Sequence, residues 1–389
     1  MPANQPPIFH VIRRGALANQ MIQFMVALKF RSLVPECRIS NVDLPLWGIS
    51  HPPIEGGEPV EVQRSELRLD LYDWARRMRS GALCRGVFSC FGQRVEHFLH
   101  PAYYRSIFRS PEFPQPVGFD DRHLVCHVRA GEILDGHAVN YTLTPIEFYA
   151  ELIERTGLRP VFMGQTGVNS YTLRLRERFP SAIFLETRDV IVDFETIRQS
   201  KNVVVGVSTF AWLAAWLSRA DRIFMTVSGL LHPMQYPLAD LLPFGDSRYH
   251  FFLFPINYAV PLDRHAEAHR RIAHMWRYVP QELLRRQMKE APRFACTPDM
   301  MANEVDPEFY LNTHTDVTLE IASRTAAAAR HHYRNWGFHE GRLPFRMDLA
   351  WYAVQYPIAA FEVAQGDYRD FPHHYVAVGR ARGYRPMPD

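Results

Sequence analysis

The sequence has 389 residues, 47% of them hydrophobic and 13% aromatic, with 44 Lys+Arg against 41 Asp+Glu for a formal net charge of +3. That much apolar and aromatic material excludes a predominantly disordered chain and suffices for two or three packed domains. The near-balanced charge lacks the strong positive bias of a dedicated nucleic-acid binder, so no nucleic-acid partner is expected. No run of 18 uncharged apolar residues occurs, so no spanning helix is expected, while peripheral contact at the inner face of a membrane stays open. The lead MPANQPPIFHVIRRG lacks the long apolar core of a secretory signal. Cys37, Cys84, Cys90, Cys126 and Cys296 form no CxxC pair and leave one thiol over in any complete pairing. A cytoplasmic location is therefore expected.

In chain order, residues 8–12 read as a short strand, followed by the small-residue turn Gly15-Ala-Leu-Ala-Asn19. Residues 20–30, apolar on most sides, read as a helix buried between layers. Strand, turn and buried helix open an α/β unit. The stretch 41–118 carries weaker signals: Pro52-Pro53 and Gly56-Gly57 mark loops, and 65–79 and 94–109 read as helices. From Phe119 a second series begins. Strands over 123–129, 160–164, 182–185, 202–206 and 222–226 alternate with helices over 145–155, 170–179, 194–200 and 210–217. This alternation predicts a mostly parallel sheet covered on both faces. The expected architecture is α/β: two Rossmann-like domains, 1–118 and 119–250, facing a cleft. A charged helical connector over 251–303, with helix over 261–289, would then lead into a small all-helical module at 304–389.

That last module is a duplication. Asp306, Phe309-Tyr310, His331-His332-Tyr333, Gly337, Gly341 and Pro344 recur 42 residues later as Asp348, Trp351-Tyr352, His373-His374-Tyr375, Gly379, Gly383 and Pro386. Each copy reads as two or three short helices, with the aromatics as core and the glycines as helix exits. The four histidines read as packing or capping groups, since no cysteine or second ligand cluster completes a metal site. The module is expected to be separable, holding a protein partner, a polymer or a membrane-bound acceptor near the rest of the chain.

Three constellations could carry chemistry. In His127-Val-Arg-Ala-Gly-Glu132, period-two alternation puts Val125, His127 and Arg129 on one face of a central strand and Leu124, Cys126 and Val128 on the other. The carboxyl end of such a strand is where a doubly wound sheet binds ligands. There Arg129 could fork two phosphate oxygens and His127 present a ring nitrogen. In Gly206-Val-Ser-Thr-Phe-Ala-Trp212, Ser208 and Thr209 precede a helix, where they could form an anion site or cap the helix. Trp212 and Trp216, four apart, read as core. In Gly15-Ala-Leu-Ala-Asn19-Gln20, small residues would let a ligand approach and the two amides could donate to it. This loop is neither a dinucleotide fingerprint nor a P-loop. Asp189 and Asp193 make a weak metal pair, and Asp193 also reads as the cap of the helix beginning at Phe194.

Taken together and in order, these segments resemble a known family. GALANQMIQFMVALKF resembles the G-x-L-G-N-Q-M-F-Q-Y-A opening of bacterial α-1,2-fucosyltransferases. HVRAGE is similar to the H-V-R-R-G-D motif of the wider fucosyltransferase superfamily, and VDFETIRQSKNVVVGVSTFAWLAAWLS to its D-F-x-x-M and S-N-S-T-F-S-W-W-A-A-W-L block. The resemblance covers roughly residues 8 to 245. It implies a GT-B fold and an inverting glycosyltransferase with GDP-fucose as donor substrate, working without a metal or a bound cofactor in the synthesis of bacterial surface polysaccharide. By position it implies that Arg129 grips the donor pyrophosphate, with His127 beside the nucleotide. Asp193 would read guanine, Ser208, Thr209 and Phe210 would turn near the phosphates, and Gly15, Asn19 and Gln20 would line the cleft. Glu132, Asp135 and His137 are the nearest candidates for the base that activates an acceptor hydroxyl. Ala130, Glu132 and Val207 stand where the family has arginine, aspartate and asparagine, and Ala16 and Ala18 where it commonly has glycine. Another nucleotide-sugar donor on the same fold, or a glycan-binding scaffold without turnover, are the alternatives. The C-terminal duplication resembles a D-P-x-x-Y-L…H-Y…G-x-x-E-G-R accessory repeat of bacterial glycan-building and surface-associated proteins.

Overall fold

Short, mostly buried strands build two largely parallel sheets, and a computed structural model describes residues 6–63, 69–113, 117–135, 141–186, 188–236, 238–256, 275–289, 293–321 and 323–388. The first sheet grows from β1 (Ile8–Val11), followed by α1 (Leu17–Leu33), whose Met21–Leu28 stretch is buried on every side. Then come β2 (Arg38–Ser40), the hairpin β3 (Val42–Leu44) and β4 (Ile49–His51), β5 (Val60–Gln63), α2 (Leu71–Arg79), β6 (Arg85–Phe88) and α3 (Pro101–Ile107). The sheet order is β2-β1-β6-β5, with every pair parallel. Strands of three or four residues are too short to show a period, which is why β2 to β6 escape a pattern search. The helix expected over 94–109 is broken. Pro101 keeps His100 extended (φ −60°, ψ 140°), so only a 3₁₀ turn (Val95–His97) and α3 form. Of the helix expected over 65–79, residues 71–79 are helical and 64–68 lie outside the described residues.

The second sheet contains β7 (His123–Val128), β8 (Arg159–Gly164), β9 (Ile183–Phe184), β10 (Asn202–Val205), β11 (Arg222–Val227), β12 (Tyr249–Leu253) and β13 (Arg277–Val279). Helices α4 (Gly131–Leu134), α5 (Ile146–Thr156), α6 (Ser170–Arg178), α7 (Val190–Gln199) and α8 (Thr209–Trp216) connect its first five strands. Its order is β13-β12-β11-β10-β7-β8-β9, parallel except for the antiparallel edge strand β13. Numbered from β7 as first, the six parallel strands run 3-2-1-4-5-6, the doubly wound Rossmann order, and the chain reverses direction between β7 and β10. The alternation in β7 holds: Val125 joins one core, and Leu124, Cys126 and Val128 join another with Phe148, Tyr149 and Phe162. Helix α7 starts a turn earlier than expected, at Val190. Asp189 is its cap, accepting from the Ile191 N–H at 2.9 Å, and Asp193 is not.

The two sheets share a hydrophobic core running from Phe9 and Phe30 through α1 and α8 to Met225 and Phe251. Trp212 and Trp216, stacked at 5.5 Å, face Phe98 of the first unit, and the Trp212 indole donates to Leu241 O at 2.5 Å. Among the described residues, 251–303 is only in part the helical connector expected. Strand β12 runs to Leu253 and β13 adds an edge strand, while Gln281–Lys289 and Pro298–Ala302 are the helices; 257–274 lie outside the described residues. The Arg-Tyr-Val of β13 pairs with the aromatic strand Phe251–Leu253, a non-local contact that helical periodicity cannot reveal.

In the duplicated module, helices Pro307–Thr313, Thr315–Glu320 and Ala326–His332 correspond to Leu349–Gln355, Pro357–Gln365 and Phe371–His374. Each set ends in a π-helical turn, Tyr333–Gly337 and Tyr375–Gly379. The shared device is a buried Tyr–His bond: Tyr310 Oη to His332 Nδ1 and Tyr352 Oη to His374 Nδ1, both 2.9 Å. Gly341 and Gly383, at φ +70° and +75°, are the left-handed exits, whereas Gly337 and Gly379 serve close approach. A Cβ on either would overlap the Tyr310 or Tyr352 hydroxyl. Gly337→Ala and Gly379→Ala should each destabilise the protein by about 1–3 kcal/mol. Calorimetric melting tests this; a neutral Gly379→Ala would show that the tyrosine moves aside freely.

The module is docked, not freestanding. Arg277 and Gln287 both donate to Ala364 O, the latter at 2.8 Å. Arg369 reaches Met234 O at 3.3 Å and Phe338 O at 2.7 Å, and lies 4.0 Å over the Phe338 ring. No helix among the described residues is long and apolar enough to cross a membrane, and all five cysteines are free thiols.

Candidate active site

The crevice at the carboxyl ends of β7 and β10 forms because the chain turns away in opposite directions there. On the β7 side, His127 stands in it because Gly164, ending β8 at φ +93°, has no side chain. A Cβ there would lie 2.6 Å from Val128 O and 3.0 Å from His127 Nε2. The Phe210 ring, in the first turn of α8, packs at 5.7 Å from His127. His127 Nδ1 is enclosed and has no hydrogen-bond partner among the described residues. Burial, and then the Arg129 charge, push its pKa down to about 4, so the ring is neutral at pH 7.

Arg129 follows one residue beyond β7, with about a quarter of its side chain exposed. Its Nε and Nη2 bond Glu132 Oε1 at 2.7 and 2.6 Å, and its guanidinium lies 4.0 Å over the Tyr141 ring. Glu132 Oε2 accepts from Gln165 Nε2 at 2.7 Å. Gln165 Oε1 in turn accepts from Ala130 N and Gly131 N at 2.7 and 2.8 Å. The cation is therefore fixed before any ligand arrives. Burial tends to raise the Glu132 pKa, but the Gln165 amide and the Arg129 charge outweigh it and hold the carboxyl below its ordinary value. Such a carboxylate is a weak base. Asp135, closing α4, is exposed; His137 lies outside the described residues.

On the β10 side, Ser208 caps α8 through Oγ, which accepts from Ala211 N at 3.3 Å, so capping is the role realised of the two left open. The first-turn N–H groups of Thr209 and Phe210 have no intrahelical acceptor and suit an anion. Gly206 allows Thr144 Oγ1 close to the backbone, and a Cβ there would lie 3.1 Å from it. His127, Arg129, Thr142, Thr144, Gly206 and Ser208 line a narrow hollow of about 10 Å³, room for a single water-sized group.

Asp193 reaches this site only indirectly, since its neighbour Phe194 packs edge-on against Phe210 at 5.5 Å. The Asp193 carboxyl is buried, which raises its pKa, and Oδ1 accepts from Arg188 Nε and Nη2 at 3.1 and 2.9 Å, leaving Oδ2 available. With Asp189 capping α7 and Asp193 held by Arg188, the two carboxylates serve separate partners. Among the described residues no group of three metal-capable side chains converges.

Gly15, Asn19 and Gln20 lie elsewhere, at the carboxyl end of β1. Gln20 Nε2 donates to Gly15 O at 2.9 Å, and Asn19 Oδ1 accepts from Gln93 Nε2 at 3.0 Å. Gln20 closes the turn and Asn19 ties it to Gln93, and neither lines the His127 hollow. The neighbouring Gln23, not singled out in sequence, is fully buried and donates to both Ile12 O and Cys90 O (2.8 and 2.9 Å), tying together the segments that follow β1 and β6. Gln165 and Gly164 were also missed, although their place at the end of the strand beside β7 is a usable signal. Tyr141 carries none.

His232 and His314 share the condition of His127, burial pushing each down to about 3. Below the ordinary value of 6.5 the unfolded chain takes up protons that these rings refuse, so stability present above pH 6.5 drains away as the pH falls toward 4. Each ring contributes up to about 1.4 kcal/mol per pH unit. Urea midpoints at pH 7.5 and 5.0 measure the loss, and equal midpoints would show that the rings protonate in place. Protein-family models and curated proteins gave no match to this sequence.

Proposed function

We propose that the protein is an inverting glycosyltransferase of GT-B architecture that moves a sugar, with fucose expected, from a GDP-sugar to a glycan hydroxyl in bacterial surface polysaccharide synthesis. One observation carries the reading. The strand end bearing His127 and Arg129 and the turn bearing Gly206 and Ser208 flank the reversal point of a 3-2-1-4-5-6 sheet, the crevice where such sheets bind nucleotides. The ordered resemblance of the same segments to fucosyltransferases supplies the donor class.

In this reading Arg129, held by Glu132 and Tyr141, and the amides opening α8 neutralise charge developing on the departing diphosphate, a role a divalent ion fills elsewhere. Neutral His127 adds a ring nitrogen without a competing charge. Glu132 positions Arg129, and Asp135, exposed and free of that pairing, is the better candidate base. The pairing of Arg129 with Glu132, together with Ala130 in place of a second arginine, favours one other reading, a glycan-binding scaffold without turnover. Incubating the protein with GDP-fucose and glycan acceptors, and following GDP release and product mass, separates the two. Transfer or donor hydrolysis is expected, and acceptor binding without turnover would favour the scaffold.

Guanine selectivity rests on Asp193. Asp193→Ala should remove most of the preference for GDP over UDP, about 1.5–3 kcal/mol for the charge-assisted hydrogen bonding that Oδ2 can accept. Competition binding with both nucleotides measures it, and an unchanged ratio would assign the base to another residue.

A further inference from the structure

A second cavity, of about 700 Å³, opens at the opposite edge of the seven-stranded sheet. Its walls come from the end of α8, from the loops preceding β11 and β12, and from α3 of the first unit. His127 lies near the end of β7, and Arg129 and Ser208 follow β7 and β10, so the candidate active site lies at the carboxyl edge and this cavity at the amino edge. The mechanism proposed above does not use it.

Arg105, Arg219 and Arg248 line the cavity with a single carboxylate, Asp246. Arg248 already spans that carboxylate, with Nε to Oδ1 at 2.9 Å and Nη2 to Oδ2 at 2.7 Å. Arg248 Nη1 and Arg105 Nη1 converge on one carbonyl, Ser218 O, at 2.7 and 3.5 Å. Arg105 Nε is buried with no hydrogen-bond partner among the described residues. Arg219 is exposed at the rim. After the Arg248–Asp246 pair is set aside, two cations remain without a carboxylate in salt-bridge contact among the described residues. Burial, and next the charges of Arg248 and Arg219, lower the Arg105 pKa, the mark of a cation held among cations. Half-buried like charges repel unless something neutralises them, and an orphaned guanidinium N–H lacks an acceptor.

We propose that this cavity binds a phosphoryl group, its oxygens taking the free donors of Arg105 and Arg219 while Phe244 and the neighbouring apolar wall cover the organic part of the ligand. Guanidinium groups match phosphate geometry by paired N–H donors, and the cavity is of small-ligand size.

The test uses the full chain carrying Arg129→Gln, which disarms the phosphate clamp of the candidate active site. Inorganic pyrophosphate titrated calorimetrically should bind with a Kd below about 1 mM, and adding Arg105→Gln and Arg219→Gln should weaken binding at least about tenfold. Should the double change unfold the protein, Arg219→Gln alone at its exposed position should still weaken binding about threefold. Sedimentation with phosphatidic acid vesicles against phosphatidylcholine vesicles identifies the source. Arginine-dependent pelleting with phosphatidic acid assigns the phosphoryl group to a lipid headgroup, and pyrophosphate binding without pelleting assigns a soluble ligand. Failure of both probes to bind, or binding indifferent to Arg219→Gln, overturns the proposal.

Discussion

Replacing Arg129 by alanine should lower sugar transfer by a factor on the order of 10²–10³ while leaving the melting temperature within a few degrees. The guanidinium is held by Glu132 and Tyr141 at the mouth of the crevice, so its contacts orient a charge and do not support a core. Its removal leaves Glu132 bonded to Gln165 and within reach of water, and creates no orphaned buried charge. Charge on a departing diphosphate, by contrast, would lose its nearest fixed cation at the moment it develops. Lysine at the same position should recover only part of the rate, because it keeps the charge and loses the fork that both Glu132 and a phosphate engage. Initial rates and melting curves on the two variants decide this. A fully active Arg129→Ala would make the residue peripheral, and an unfolded one would make it structural.

Ending the chain at Arg293 should lower the melting temperature by roughly 10 °C or more, against the separability that a self-contained repeat suggests. Truncation removes the acceptor of both Arg277 and Gln287 at Ala364 O and the Arg369 bond to Met234 O. Hydrogen bonds at about 1 kcal/mol each, together with newly exposed apolar surface, account for that shift in a chain of this length. Edge strand β13 would lose its cover next to the sheet. Nucleotide affinity of the folded fraction should survive, since no residue beyond 293 lines the His127 hollow. Melting and calorimetry on the shortened chain measure both, and an unchanged melting temperature would restore the independent module.

The second sheet was legible in sequence from β7 to β11, where strands and helices alternate at regular spacing, whereas β12 and β13 were not, falling where a helical connector was expected. The face assignment of β7 followed from period two alone, and it placed His127 and Arg129 correctly at the strand end. The first sheet was legible only at β1 and α1, since β2, β5 and β6 owe their pairing to contacts distant in sequence. The capping role of Ser208 was visible among two alternatives, whereas Asp193 was misjudged as a cap because Val190, Ile191 and Val192 give a weak helical signal ahead of Phe194. The amides of Asn19 and Gln20 illustrate a different limit. Their residue types suit a ligand equally well as a turn, and the bonds of Gln20 to Gly15 O and of Asn19 to Gln93 are contacts that the sequence does not reveal. The triple bridge Arg129–Glu132–Gln165 joins residues 36 positions apart, a distance no local pattern encodes.

The most direct test of a guanine nucleotide site at the β7–β10 crevice is a calorimetric titration of the full-length protein with GDP and, separately, with UDP. The account predicts one GDP per chain, bound at least about tenfold more tightly than UDP, the difference set by guanine donors that uracil lacks. Equal affinities for the two nucleotides, or no heat from either, would contradict it.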